Sequence, residues 1–148
     1  MSYKRITREL LDIKNKYNHC SLTLTDNLYI IEVKLNNKTT ITFKCCSNYP
    51  FKSPNLFINT NEYRNMLCIK NKLILNELHK LNITCLCRKS FCCHGNWSPS
   101  IKLLDIIDEY KQNRDLVKKI VYRIIMYDLC LQFNIEAIEI SDMISFFL

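Results

Sequence analysis

The chain has 148 residues, 48% of them hydrophobic and 11% aromatic, which suits one domain spanning 1–148 with a sizeable core and argues against disorder. Its formal net charge is +7, but Asp and Glu are interspersed with Lys and Arg, and no glycine–aromatic RNA motif or finger spacing accompanies them. The charge therefore reads as a solvated basic surface, and nucleic acid is disfavoured as a partner.

No apolar run approaches the roughly 18–20 residues of a membrane span. The N-terminus, Met1-Ser2-Tyr3-Lys4-Arg5, leads directly into a charged helical pattern, unlike a signal peptide. The expectation is a soluble intracellular protein, cytoplasmic or nuclear, with no membrane partner. Nine cysteines without a secretory signal then point to reduced thiols rather than a disulfide framework. A single glycine amid many Lys, Asn and Ile predicts few left-handed turns, and such a bias suits a virus or parasite.

In chain order, Ile6, Leu10, Ile13 and Tyr17 recur at helical spacing from Arg5 to Tyr17, with Arg8, Glu9, Lys14 and Lys16 outside that stripe and Ser2 as a cap. Ser21 to Thr25 alternates as a half-buried strand does. Tyr29, Ile31, Val33 and Leu35 form one face of a second strand, and Asn36-Asn37 makes a hairpin turn. Ile41, Phe43 and Cys45 line a third strand, and Leu56 to Ile58 a fourth. The pattern is an antiparallel four-stranded meander on helices, an α+β domain.

Tyr49-Pro50-Phe51-Lys52-Ser53-Pro54 and Asn96-Trp97-Ser98-Pro99 suit neither a helix interior nor a central strand, because proline fixes φ and lacks a backbone donor. Each marks a rigid connection. Short helical turns fit within Tyr63 to Leu67 and Leu73 to Leu81. Past Pro99, Ile101, Leu104, Ile107 and Tyr110 mark one helix and Leu116, Ile120, Ile124 and Tyr127 another, with Ser141 capping a last apolar turn.

The segment Cys85-Leu86-Cys87-Arg88-Lys89-Ser90-Phe91-Cys92-Cys93-His94 holds four thiols and an imidazole. These are soft ligands suited to zinc, although the adjacent Cys92-Cys93 and the C-x-C pair depart from the usual C-x2-C knuckle spacing. Arg88 and Lys89 would favour a neighbouring thiolate, which serves a nucleophile and a metal ligand alike. Cys20, Cys45, Cys46, Cys68 and Cys130 read as small buried hydrophobes. Trp97 reads as a packing anchor.

The order helix, antiparallel strands, YPFKSP, thiol-bearing segment, NWSP and helices resembles the ubiquitin-conjugating enzymes. Arg5-Ile6 through Glu9-Leu10 is similar to the family's first helix, Cys85-Leu86 to its cysteine–leucine dipeptide, and Trp97-Ser98-Pro99 to its second loop motif. The resemblance implies a ubiquitin-conjugating-enzyme-like fold and a thioester formed at Cys85 with ubiquitin or a ubiquitin-like modifier, later transferred to lysine, with no cofactor or bound metal. Cys87 is the runner-up nucleophile. It also implies that Phe51, Pro99 and Ser100 meet a ubiquitin ligase, and that Lys4, Arg5 and Arg8 meet the activating enzyme. The family's His-Pro-Asn triplet is missing: Tyr63-Arg64-Asn65-Met66-Leu67 stands in its place, and His79 and Asn82 lie nearer Cys85. A catalytically silent scaffold or binding module, its cysteine cluster holding zinc, is the alternative.

Overall fold

Ile6, Leu10 and Ile13 lie on one side of a helix, so burying them fixes how that helix must lie. In the computed structural model, which describes residues 2–93 and 95–133, they form the inner face of helix α1 (Ser2–Lys16), with Ile6 and Ile13 fully buried. The helix starts three residues before the predicted Arg5. Ser2, expected as its cap, lies within the first turn. Ser141 and His94 lie outside the described residues.

The strands follow as β1 (Cys20–Thr25), β2 (Leu28–Asn36), β3 (Thr39–Cys45), β4 (Asn55–Ile58) and β5 (Asn61–Glu62). They make one sheet in sequence order, with every pair antiparallel. The expected four-stranded meander is thus extended by a two-residue fifth strand. Register places Ile31 opposite Phe43, Val33 opposite Ile41, and Phe43 opposite Leu56. All five are buried, because side chains alternate along a strand and these share one face.

The hairpin turns depart from the glycine-poor expectation. Asp26 and Asn27 join β1 to β2 with φ of 47° and 64°, the paired left-handed geometry that matches strand twist. Asn59 and Asn82 also have positive φ, at 56° and 57°. Asn and Asp tolerate this region better than other side chains, so they take glycine's role here. The β2–β3 turn falls on Asn37-Lys38, one residue later than predicted, because the Asn36 Oδ1 accepts the Lys38 amide at 2.8 Å and closes an Asx turn.

After β5 come α2 (Tyr63–Leu67), α3 (Lys72–Lys80), a 3-10 turn at Cys87–Lys89 and α4 (Leu103–Phe133). Helix α4 replaces the two helices read from the sequence. Neither Gly nor Pro interrupts 103–133, so nothing stops the hydrogen-bond ladder between the two apolar stripes. No helix among the described residues is long and apolar enough to cross a membrane.

The backbone divides into two compact units. One comprises Met1–Cys68 and Cys85–Lys111; the other comprises Ile69–Thr84 and the chain from Gln112 onward. In the second, Asn71 caps α3 by accepting the amides of Leu73 and Ile74, at 2.9 and 3.2 Å. Asn82 ends that helix in a left-handed conformation while Ile83 N–H reaches the Leu78 carbonyl at 2.9 Å and Asn82 N–H the His79 carbonyl at 2.9 Å, a Schellman pattern. Glu77 pairs with Lys80 and lies 3.7 Å from Arg123, and its bond to Lys80 holds its carboxyl below the usual range.

In the first unit, α1 runs against the start of α4. Lys16 Nζ is 3.0 Å from Asp108, Lys102 Nζ is 3.7 Å from Asp12, and Lys111 donates to the Tyr17 hydroxyl at 2.7 Å. These partly exposed pairs orient the helices more than they stabilise them. The stronger link is buried. Lys102, just before α4, cannot cap it with its side chain, and the orphan amide of Leu103 is instead accepted by Glu9 Oε2 at 2.8 Å. Asp105 Oδ2 accepts the Lys102 amide, also at 2.8 Å. Glu9, expected outside the apolar stripe, is therefore 2% exposed. Its carboxylate also takes the Tyr49 hydroxyl at 2.8 Å and pairs with Arg5, so the buried charge is fully partnered.

Candidate functional site

The first loop is built on Tyr49, which is buried while Phe51, two residues on, is 72% exposed. The Tyr49–Pro50 peptide is cis, and the Asn48 carbonyl accepts the amides of Phe51 at 2.8 Å and Lys52 at 3.2 Å. Burial and the neighbouring Glu9 carboxylate push the Tyr49 hydroxyl well above its ordinary pKa, so it stays a donor. The second loop meets the first through Trp97, whose indole N–H donates to the Pro50 carbonyl at 2.8 Å. The Tyr49 and Trp97 ring centroids are 6.0 Å apart. Trp97 is thus the packing anchor the sequence suggested. Phe51, Pro99 and Ser100 are exposed on the two loops that this bond joins.

The cysteine segment is held by a network the sequence reading did not detect. Asn96 Nδ2 donates to the carbonyls of Arg88 at 2.6 Å and Ser90 at 3.1 Å. Arg64 Nη2 donates to the Cys92 carbonyl at 2.8 Å. Glu109 of α4 accepts the Phe91 amide at 2.7 Å and the Tyr63 hydroxyl at 3.1 Å. The buried Ser90 Oγ accepts the Cys92 amide at 3.1 Å. Ser90 carried no sequence signal beyond being a small polar residue in a loop, and Asn96 was marked only as part of Asn96-Trp97-Ser98-Pro99. Their partners are backbone groups, which composition does not reveal.

Cys85 and Cys87 are disulfide-bonded to each other. This corrects the expectation of uniformly reduced thiols: the proposed nucleophile and its runner-up are joined, and neither sulfur is free in this state. Both residues are partly exposed, and the Cys87 amide points at Cys85 Sγ, 3.2 Å away. Arg88 and Lys89 follow, both exposed. Seven other cysteines are free. Cys45 and Cys130 are buried as expected, Cys20 and Cys46 are half-buried, and Cys68 is exposed, because it follows α2 at the surface rather than facing the core. Burial pushes the Cys92 thiol up to about 12, with Glu109 adding to the shift, so it is inert at neutral pH.

The structure places the remaining predicted residues as follows. Asn65, in the Tyr63–Leu67 segment, donates to Glu62 Oε2 at 3.3 Å. Lys4 and Arg8 are exposed on α1, but Arg5 is half-buried, paired with Glu9 and donating to the Ile101 carbonyl at 3.3 Å. Arg5 is therefore committed to holding α1 against the start of α4. Among the described residues, no three His, Cys, Asp or Glu side chains converge in a way that would hold a metal ion.

No family model matches the chain, and neither the curated proteins nor the solved structures give a significant match.

Proposed function

We propose that this chain is a divergent ubiquitin-conjugating-enzyme-like protein whose Cys85, as a thiol, accepts the activated carboxyl terminus of ubiquitin or a ubiquitin-like modifier and passes it to lysine. The observation that carries the reading is the position of Cys85. It is partly exposed, in a segment pinned by Asn96, Arg64 and Glu109, and that segment leads into a loop bonded to the Tyr49–Pro54 turn, which exposes Phe51 and Lys52. A nucleophilic thiol needs access and help in deprotonating, and the Cys87 amide at 3.2 Å favours the sulfur anion. The activating enzyme and a ligase are the implied partners, the first at the exposed Lys4 and Arg8 and the second at Phe51, Pro99 and Ser100.

A second reading, a silent scaffold or binding module, is favoured by one specific feature. Asn65, in the segment that takes the place of the family's oxyanion-donor triplet, has its side-chain amide bonded to Glu62. Loss of one such donor costs about 10²- to 10³-fold in rate, so lysine attack would be slow without a partner. Protein reduced beforehand and freed of reductant, given activating enzyme, ATP and ubiquitin, is expected to form a thiol-labile adduct. Cys85→Ser should form a stable oxyester or nothing, and Cys87→Ser should charge normally. Normal charging of Cys85→Ala would reject Cys85 as the acceptor, and no charging of the reduced protein would favour the scaffold.

A further inference from the structure

We infer that Cys85 and Cys87 are a thiol–disulfide exchange pair, cycled by small thiols and disulfides of the glutathione class, and that this cycle sets whether the Cys85 sulfur is available. Its consequence for modifier transfer rests on the function proposed above; the exchange itself does not.

Three observations support it. The bond links residues two apart in sequence. So short a ring restricts the unfolded chain far less than a long loop does, which makes the bond a poor stabilising staple. The segment has its own support: Asn96, Arg64, Glu109 and Ser90 hold its backbone through bonds that do not involve either sulfur. Opening the disulfide therefore leaves the backbone from Arg88 to Cys92 held. Both cysteines are also partly exposed, so a small thiolate can reach them, whereas Cys92 and Cys45 are buried.

The geometry further assigns a direction to the exchange. The Cys87 amide lies 3.2 Å from Cys85 Sγ, and a donor there favours negative charge on that sulfur over its partner. An incoming thiolate should attack Cys87 Sγ, so that the S–S bond breaks with its electron pair on Cys85, the better leaving group. A second small thiolate then attacks the small-thiol sulfur of the mixed disulfide, forming the small disulfide and releasing Cys87 as its thiolate. The sum is two small thiols oxidised to one small disulfide while Cys85–Cys87 is reduced to a dithiol; oxidation is the reverse, with glutathione disulfide as the electron acceptor.

The test equilibrates the full chain in graded mixtures of reduced and oxidised glutathione, quenches with acid, and alkylates free thiols. The tryptic peptide Leu81–Arg88, which contains only these two cysteines, is then read by mass. The expected result is a single transition in which both labels appear together as reduced glutathione rises. Cys85→Ser should trap a glutathione adduct on Cys87, and Cys87→Ser one on Cys85. A pair labelled at every ratio, or one that stays oxidised in excess dithiothreitol while the protein remains folded, overturns the inference. Charging is scored separately on the reduced protein. Cycling without charging sinks the transfer reading alone, and charging without cycling sinks the exchange pair alone.

Discussion

The Trp97 indole donates to the Pro50 carbonyl at 2.8 Å across 47 residues of sequence, and this one bond joins the two proline-braced loops. The two loops are otherwise separate excursions, one leaving β3 and the other following the cysteine segment. Their joint placement rests on Trp97 and on the Tyr49 ring beneath it.

Trp97→Phe keeps an aromatic ring and removes the donor, leaving the Pro50 carbonyl unpaired. The expected loss of stability is about 1–2 kcal/mol, read from urea unfolding. Unchanged stability would mean that water replaces the indole at no cost and that the loops are not held by this bond.

Glu9 accepts from Arg5, the Tyr49 hydroxyl and the Leu103 amide while almost wholly buried. Glu9→Ala strips three donors of one acceptor and should cost about 3–5 kcal/mol. Tyr49→Phe loses one bond to a charged group, about 1.5–3 kcal/mol. The double variant should lose clearly less than the sum, because the two act on one network. Additive losses would show that the residues are not coupled.

Cys92 and Cys68 should part company on alkylation of the folded protein. Burial puts the Cys92 thiol at about 12. At about pH 9 only roughly one molecule in 10³ carries its thiolate, and the sulfur is also sterically covered. Cys68, exposed, should react within minutes, and Cys92 only as pH climbs toward its own titration. Equal labelling at neutral pH would contradict this burial.

Asn59 has positive φ while its Oδ1 accepts the Thr40 amide at 2.9 Å and its Nδ2 donates to the Lys38 carbonyl at 3.2 Å. Asn59→Ala loses both bonds and leaves a Cβ in a strained region, so it should cost about 2–4 kcal/mol. Asn59→Gly relieves the strain alone and should recover about 1 kcal/mol of that loss. Thermal unfolding of the pair separates the two contributions; a glycine variant less stable than alanine would show that φ is not the constraint.

The sheet and α1 were legible because their signals are local. Period two along β2 and β3 and the Ile6–Leu10–Ile13 stripe depend only on which residues face one core. The single helix α4 was missed for a related reason. Its buried residues are Leu103, Ile106, Ile107 and Tyr110, then Ile120 and Cys130, and the sparse stretch between them resembles a break although no breaker is present. Glu9 was misplaced because its partners lie far away in sequence, at Tyr49 and Leu103. The pairing of Cys85 with Cys87 was hidden as well: a thiol count carries no information about two cysteines that are close neighbours along the chain. The nucleophile candidate itself came from a dipeptide resemblance, and the side chains that hold its segment bond to backbone groups, which leave no mark in sequence.

Building left-handed turns from Asp26, Asn27, Asn59 and Asn82 rather than glycine also changes the chain before it folds. Glycine gives the denatured ensemble the widest choice of φ and ψ, all of which must be surrendered on folding. A side chain at each of these positions narrows that choice, typically by about 0.4–1 kcal/mol per site for Gly-to-Ala changes where native geometry permits, against local strain in the folded turn. The three turns these four residues build therefore draw part of their definition from what the unfolded polymer is denied, so a glycine scan across them measures the stiffness of the denatured chain as much as the fit of the native one.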